Sequence, residues 1–213
     1  MIPVLYRDPS LLVCVKPAGV LSQPAPGEEE SLLSLLGAQE DCVLYPVHRL
    51  DRGVGGVMVC AKTSRAAAAL SAAVQSRILE KIYLCVTRGC PQQPEAMLQD
   101  LLLHDRARNK SFVVARKRSG VKEASLSYRV LAQDGTRALL AVRLHTGRTH
   151  QIRVQLASRG WPLLGDGKYG GGAGEIALWS YRLSFPHPVT HKAMSFTQAP
   201  SGGIWDDFGS PVL

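Results

Sequence analysis

Short apolar stretches, often alternating with polar positions, run along the whole chain, and turns rich in proline, glycine and aspartate separate them. Val4–Tyr6 and Leu11–Val15 predict two strands about the turn Asp8-Pro9-Ser10, closed by Lys16-Pro17-Ala18-Gly19. After a polar, proline-bearing loop over 22–30, Ser31 is placed to cap a short helix carrying Leu32, Leu33, Leu35 and Leu36, which Gly37 should end. The clearest helix spans Ser64 to Glu80, with Ser64 as N-cap, a run of alanines, and Leu70, Val74, Ile78 and Leu79 as its apolar stripe. Ile82–Thr87 has strand composition. Ala124–Val130 and Arg137–His145 predict an antiparallel hairpin turning at Asp134-Gly135. Thr149 is a candidate cap for a helix to about Ser158, with Ile152 and Leu156 facing the core. Ala177–Phe185 and Ala193–Thr197 read as closing strands. Hairpin-joined strands with a few helices predict an α+β domain on a mixed, largely antiparallel sheet with flanking helices.

At 213 residues, with 46% hydrophobic and 20% charged positions, the chain can bury one substantial core, and a single domain over 1–213 is expected. The net charge of +8 favours a polyanionic partner, because surface cations release counterions from a phosphate backbone. The charge is uneven: Arg106, Arg108, Lys110, Arg116, Lys117 and Arg118 fall in one stretch that runs to Lys122. A solvated hairpin with charge-protected edges and an RNA contact surface are compatible readings of that stretch. Cys14, Cys42, Cys60, Cys85 and Cys90 show no pair at zinc or redox spacing, and Pro186 and Pro188 deny His187 and His191 the helix that i, i+4 ligands need, so no metal is assigned. No secretory signal opens the sequence, and Ala66–Val74 is too short to span a bilayer, so a reducing, cytoplasmic setting is expected.

Two blocks carry the chemistry. In the first, His48-Arg49-Leu50-Asp51-Arg52-Gly53, a carboxylate stands between two arginines in a turn bounded by glycine and apolar strand-like segments. Such a carboxylate can act as a nucleophile toward an electrophilic sugar or base carbon. The second block, Gly147-Arg148-Thr149-His150-Gln151-Ile152-Arg153, is followed by Leu163-Leu164-Gly165-Asp166 and Tyr169-Gly170. Residues 165–170 formally satisfy a dinucleotide glycine fingerprint, but they follow Pro162-Leu163-Leu164 rather than a clear strand and open no helix, so no nucleotide cofactor is expected. A carboxylate-dependent glycosidase would need a second acid, for which these blocks offer only Asp166.

Together the blocks resemble the RluA family of RNA pseudouridine synthases along nearly the whole chain. The resemblance implies a catalytic domain with a central cleft that isomerises uridine in structured RNA, tRNA or ribosomal RNA, as a monomer and without cofactor. It assigns Asp51 as the catalytic carboxylate, Arg153 as the arginine that pairs with it, and Tyr83, in Lys81-Ile82-Tyr83, as the tyrosine that stacks on the target base. Arg49 matches the arginine that fills the stack left by a flipped nucleotide. Arg52 and Arg148 are further candidate RNA contacts, and Leu178 a candidate apolar wall. A protein that kept the fold and lost catalysis would bind RNA alone, but it would have no need of Asp51, Tyr83 and Arg153 together. Two departures stand out: Val54-Gly55-Gly56 replaces the family's threonine-serine-glycine, and Leu178-Trp179-Ser180 replaces its leucine-histidine-alanine. With the motifs beginning so early, no S4 RNA-binding domain is expected, which leaves substrate selection to the catalytic domain.

Overall fold

The structure is a computed structural model that describes residues 1–209, so the last four residues of the expected 1–213 domain lie outside it. In chain order the strands are β1 (Val4–Arg7), β2 (Leu11–Lys16), β3 (Tyr45–Pro46), β4 (Gly55–Ala61), β5 (Glu80–Arg88), β6 (Glu95–Asp105), β7 (Lys110–Val114), β8 (Val121–Gln133), β9 (Arg137–Leu144), β10 (Leu178–Pro186) and β11 (Ala193–Thr197). The helices are α1 (Leu32–Glu40), α2 (Ser64–Gln75) and α3 (Gln151–Ala157), with a 3-10 turn at Gly203–Phe208. This is the α+β, largely antiparallel architecture that the strand pattern predicts. Two compact units share it, one of residues 1–81 and 179–200, the other of residues 82–178 and those from Ser201.

In the first unit the strand order is β1-β2-β4-β10, with β11 on β10 and the two-residue β3 on β4. All these pairs are antiparallel except β4 with β10. One face carries Leu11, Val13, Val57, Val59, Leu183 and Phe185, and α2 covers it with Ala66, Leu70 and Ala73. The helix forms because its alanines cost little side-chain entropy and Thr63, not Ser64, caps it, its hydroxyl accepting from the Ala66 N–H at 3.1 Å. It stops at Gln75 rather than Glu80, since Arg77 turns left-handed at φ 64° and leaves Ile78 57% exposed. Leu79 still reaches the core, its N–H bonded to the Ala73 carbonyl. Likewise α1 runs through Gly37 to Glu40 and ends at the left-handed Asp41, while Ser31 caps its start as expected.

His187 staples the far end of this unit. Its Nδ1 accepts from the Val189 and Thr190 N–H groups, so its Nε2 carries the proton and donates to Asp8 at 2.6 Å. Asp8 meanwhile accepts from the Ser10 and Leu11 N–H groups, which closes the β1–β2 turn. His187 is thus a structural donor, with its pair to Asp8 fixing β1 against the β10–β11 turn.

The second unit has strand order β5-β9-β8-β6-β7, antiparallel throughout. The β8–β9 hairpin turns at Asp134, whose carboxylate accepts from the Thr136 and Arg137 N–H groups. Helix α3 packs Val154 on Leu102 of β6 and Ala124 of β8. Its Gln155 and the nearby Arg159 both donate to Asp100 of β6. Thr149 does not cap it: the helix begins at Gln151, with His150 left-handed at φ 55° and no side-chain cap, and Thr149 offers its carbonyl to the Ser111 hydroxyl instead. Among the described residues, no helix is long and apolar enough to cross a membrane.

Candidate active site

The Asp51 turn lies in the first unit and is pinned on both sides of the carboxylate. Before it, the Ser22 hydroxyl donates to the Leu50 carbonyl at 2.8 Å and accepts from the Leu50 N–H at 3.0 Å. After it, the Arg52 carbonyl accepts from the Gly19 N–H at 2.8 Å and from Lys16 Nζ at 3.2 Å. Lys16 is fully buried, and its ammonium also donates to the Pro17 and Val20 carbonyls. Burial lowers its pKa to about 8, against the opposing pull of the Asp51 charge. Asp51 itself is half-buried on this frame, with its carbonyl accepting from Val54 N–H.

Its neighbours divide by exposure. Arg49 is exposed; Arg52 is exposed too, but donates to the Gly19 carbonyl and pairs with Glu28 at 2.9 Å. His48 is buried, and its Nε2 accepts from the Val59 N–H at 3.3 Å, which ties the turn to β4. Burial, helped by the Lys81 charge, lowers its pKa to about 3, so it is a neutral structural acceptor at ordinary pH.

The second unit holds Tyr83, Arg148, Arg153 and Leu178. Tyr83 and Leu178 are each 5% exposed, on β5 and at the start of β10. Arg148 donates from Nε to the Glu123 carbonyl. Arg153, on the first turn of α3, is not the surface arginine that a helix position suggests: its guanidinium is buried and forms a two-pronged pair with Asp166, Nε to Oδ2 at 2.7 Å and Nη2 to Oδ1 at 2.8 Å. Asp166 is wholly buried with both oxygens engaged, so it is no second acid of the glycosidase kind. The glycine-rich segment is built for this pair: a Cβ on Gly171 would lie 1.6 Å from the Leu163 carbonyl oxygen, so only glycine lets the loop close around Asp166.

The basic stretch folds as two turns rather than one. Arg106 and Arg108 sit in the β6–β7 turn, Lys110 begins β7, and Arg116, Lys117 and Arg118 form the β7–β8 turn. All but Lys110 are exposed; Lys117 pairs with Glu123 at 2.6 Å and Arg108 loosely with Asp105 at 3.6 Å.

Residues 10–158 match the model of the RNA pseudouridylate synthase family. The chain belongs to that family. The ribosomal large subunit pseudouridine synthase D of Pseudomonas aeruginosa is 34% identical across 98% of this chain, and an uncharacterised RNA pseudouridine synthase of Bacillus subtilis is 32% identical across 88%. The chain spans 68% and 65% of those two relatives, about two thirds of their length. The human RNA pseudouridylate synthase domain-containing proteins 1 and 4 share the fold, with TM-scores of 0.79 and 0.76 at 20% and 22% identity; the alignments cover 100% and 92% of this chain and 89% and 88% of theirs. The family is the one that the two sequence blocks resemble.

As a pseudouridylate synthase the chain departs from its family's motifs at two places, and the structure makes them one. Gly55 and Trp179 are partners across β4 and β10, and a Cβ on Gly55 would lie 2.4 Å from Cζ3 of the indole. The indole N–H donates to the Gln198 carbonyl at 2.7 Å, which holds the ring there. A serine at 55 therefore fits only if the tryptophan at 179 shifts. Gly55→Ser is expected to destabilise the protein by about 1–3 kcal/mol in urea unfolding, and adding Trp179→His to recover most of it. Additive losses would remove the coupling.

His48 gives a pH dependence of definite sign. Its folded pKa lies below the unfolded 6.5, so the folded chain refuses a proton that the unfolded chain binds, and stability present above 6.5 is lost as pH falls toward about 3. Each pH unit in that window costs up to about 1.4 kcal/mol. His48→Asn, which does not titrate, should show a shallower fall in denaturation midpoint between pH 6.5 and 4. Equal slopes would mean that His48 titrates normally.

Proposed function

We propose that the protein converts uridine to pseudouridine in structured RNA, with Asp51 as the catalytic carboxylate. The observation that carries this reading is the pinned turn of a family member: Ser22, Gly19 and Lys16 fix the residues on either side of a half-buried Asp51. A carboxylate held on a rigid frame loses little entropy when it reacts, which is what a positioned nucleophile requires. The reaction breaks the N1–C1′ bond, turns the uracil and rejoins it through C5, so the net change is an isomerisation with no redox equivalents to supply. In this reading Arg153 is the partner of the carboxylate, Tyr83 stacks on the target base, and Arg49 fills the place of the flipped nucleotide. That several relatives are named ribosomal large subunit synthases favours ribosomal RNA over tRNA. Affinity comes from phosphate contacts by the two basic turns, with Arg52 and Arg148 contributing.

Incubation with ribosomal RNA tritiated at uridine C5 should release label to water. Asp51→Asn should abolish release and leave RNA affinity within a few-fold, since the backbone contacts lie elsewhere. No release from either ribosomal RNA or tRNA would remove the catalytic reading, and turnover by Asp51→Asn would remove Asp51 from its role.

The grip of the β7–β8 turn is separately measurable. Replacing Arg116, Lys117 and Arg118 by alanine should weaken binding and flatten the salt dependence by roughly one log–log unit per lost contact, while turnover at saturating RNA changes little. Lys117 should contribute least, because Glu123 already neutralises it. Unchanged affinity and slope would leave the turn a solvated surface.

A further inference from the structure

Tyr169 stands between the two features of the second unit to which the proposed function gives work, the buried arginine and the basic turns. The Arg153 guanidinium carbon lies 5.1 Å from the Tyr169 ring centroid, and the Lys110 ammonium lies 5.1 Å from the same centroid. The negative faces of an aromatic ring offset the repulsion between cations that it touches. The tyrosine hydroxyl accepts from the Ser111 N–H on β7 at 2.7 Å and shares a hydrogen bond with His150 Nδ1 at 3.0 Å. The next residue back, Lys168, donates to the Asn109 carbonyl in the β6–β7 turn. The ring also packs on Leu102, Ala124 and Val154. Burial raises the pKa of the phenol, so the hydroxyl keeps its proton at neutral pH.

Asp166 holds the guanidinium through two bonds, and the tyrosine ring lies against it as a further support that is in turn held by β7 through Ser111. We propose that Tyr169 is a positioning residue for Arg153, anchored by its hydroxyl on the same strand that carries Lys110. The inference rests on the reading of Arg153 as a working partner of the catalytic carboxylate.

Three variants test it by tritium release from ribosomal RNA, with kcat and KM separated and folding checked by urea unfolding. Tyr169→Leu removes the ring, and kcat should fall about thirtyfold or more with KM within about threefold, because a displaced arginine costs the chemical step and not the phosphate contacts. Tyr169→Phe keeps the ring and loses only the hydroxyl anchor, and should restore most of the kcat but leave it about threefold or more below wild type. A folded Tyr169→Leu enzyme with wild-type kcat, or one altered only in KM, overturns the proposal. If the leucine variant does not fold, the phenylalanine variant decides, and wild-type kcat in it overturns the anchor. Arg153→Lys in the same assay separates the two readings. Full turnover by that variant would sink the role of Arg153, whereas its loss beside an unaffected Tyr169→Leu sinks only the role of Tyr169.

Discussion

A lysine ammonium with no solvent exposure organises the loop layer around Asp51. Taking such a charge from water costs several kcal/mol, and the cost is offset only where hydrogen-bond acceptors and an opposite charge surround it. Lys16 meets that demand with the Pro17, Val20 and Arg52 carbonyls and the field of Asp51. The chain after β2 must curl back on its own lysine, and the turn after Asp51 must present a carbonyl to it. The frame of the carboxylate is thus a by-product of solvating one buried cation.

The second unit repeats the principle with the charges reversed in sequence. Asp166 is a fully buried anion, and its solvation falls to Arg153, thirteen residues earlier, in a two-pronged pair. A pair of this kind adds little net stability over a well-packed apolar replacement, but removing either member strands the other charge in a dry interior. Its contribution is orientation, and Gly165 and Gly171 let the loop close around it, since a Cβ there would lie 1.9 Å and 1.6 Å from the Glu175 and Leu163 carbonyl oxygens.

Strands that bury one face were legible because their alternation is visible in sequence; β8, β9, β10 and β11 fall where the pattern puts them. Helix ends were less so. Thr63 and Ser64 both carry a capping oxygen, and only the backbone angles decide between them; the stop at Arg77 uses a left-handed arginine where sequence reasoning looks for glycine. Strands β6 and β7 went unread, since Leu101-Leu102-Leu103 breaks alternation and β7 lies in a stretch whose charge dominates it. Asp51, Arg153, Asp166 and Tyr169 all stand in the motif segments, but no motif records that Asp166 and Tyr169 both engage Arg153. Lys16 and Ser22 stand in neither block, because each acts through a partner distant in sequence, and no local period records such a partnership.

The departures at 55 and 179 show what that non-local logic does to variation just after the Asp51 turn. Read singly, Gly55 is a lost hydroxyl and Trp179 an oversized neighbour. Read as strand partners they are one packing solution, in which the indole occupies the volume that a side chain at 55 would need and is fixed by Gln198. The position after the Asp51 turn is then set by volume across the strand pair, so the glycine at 55 follows from the indole that faces it.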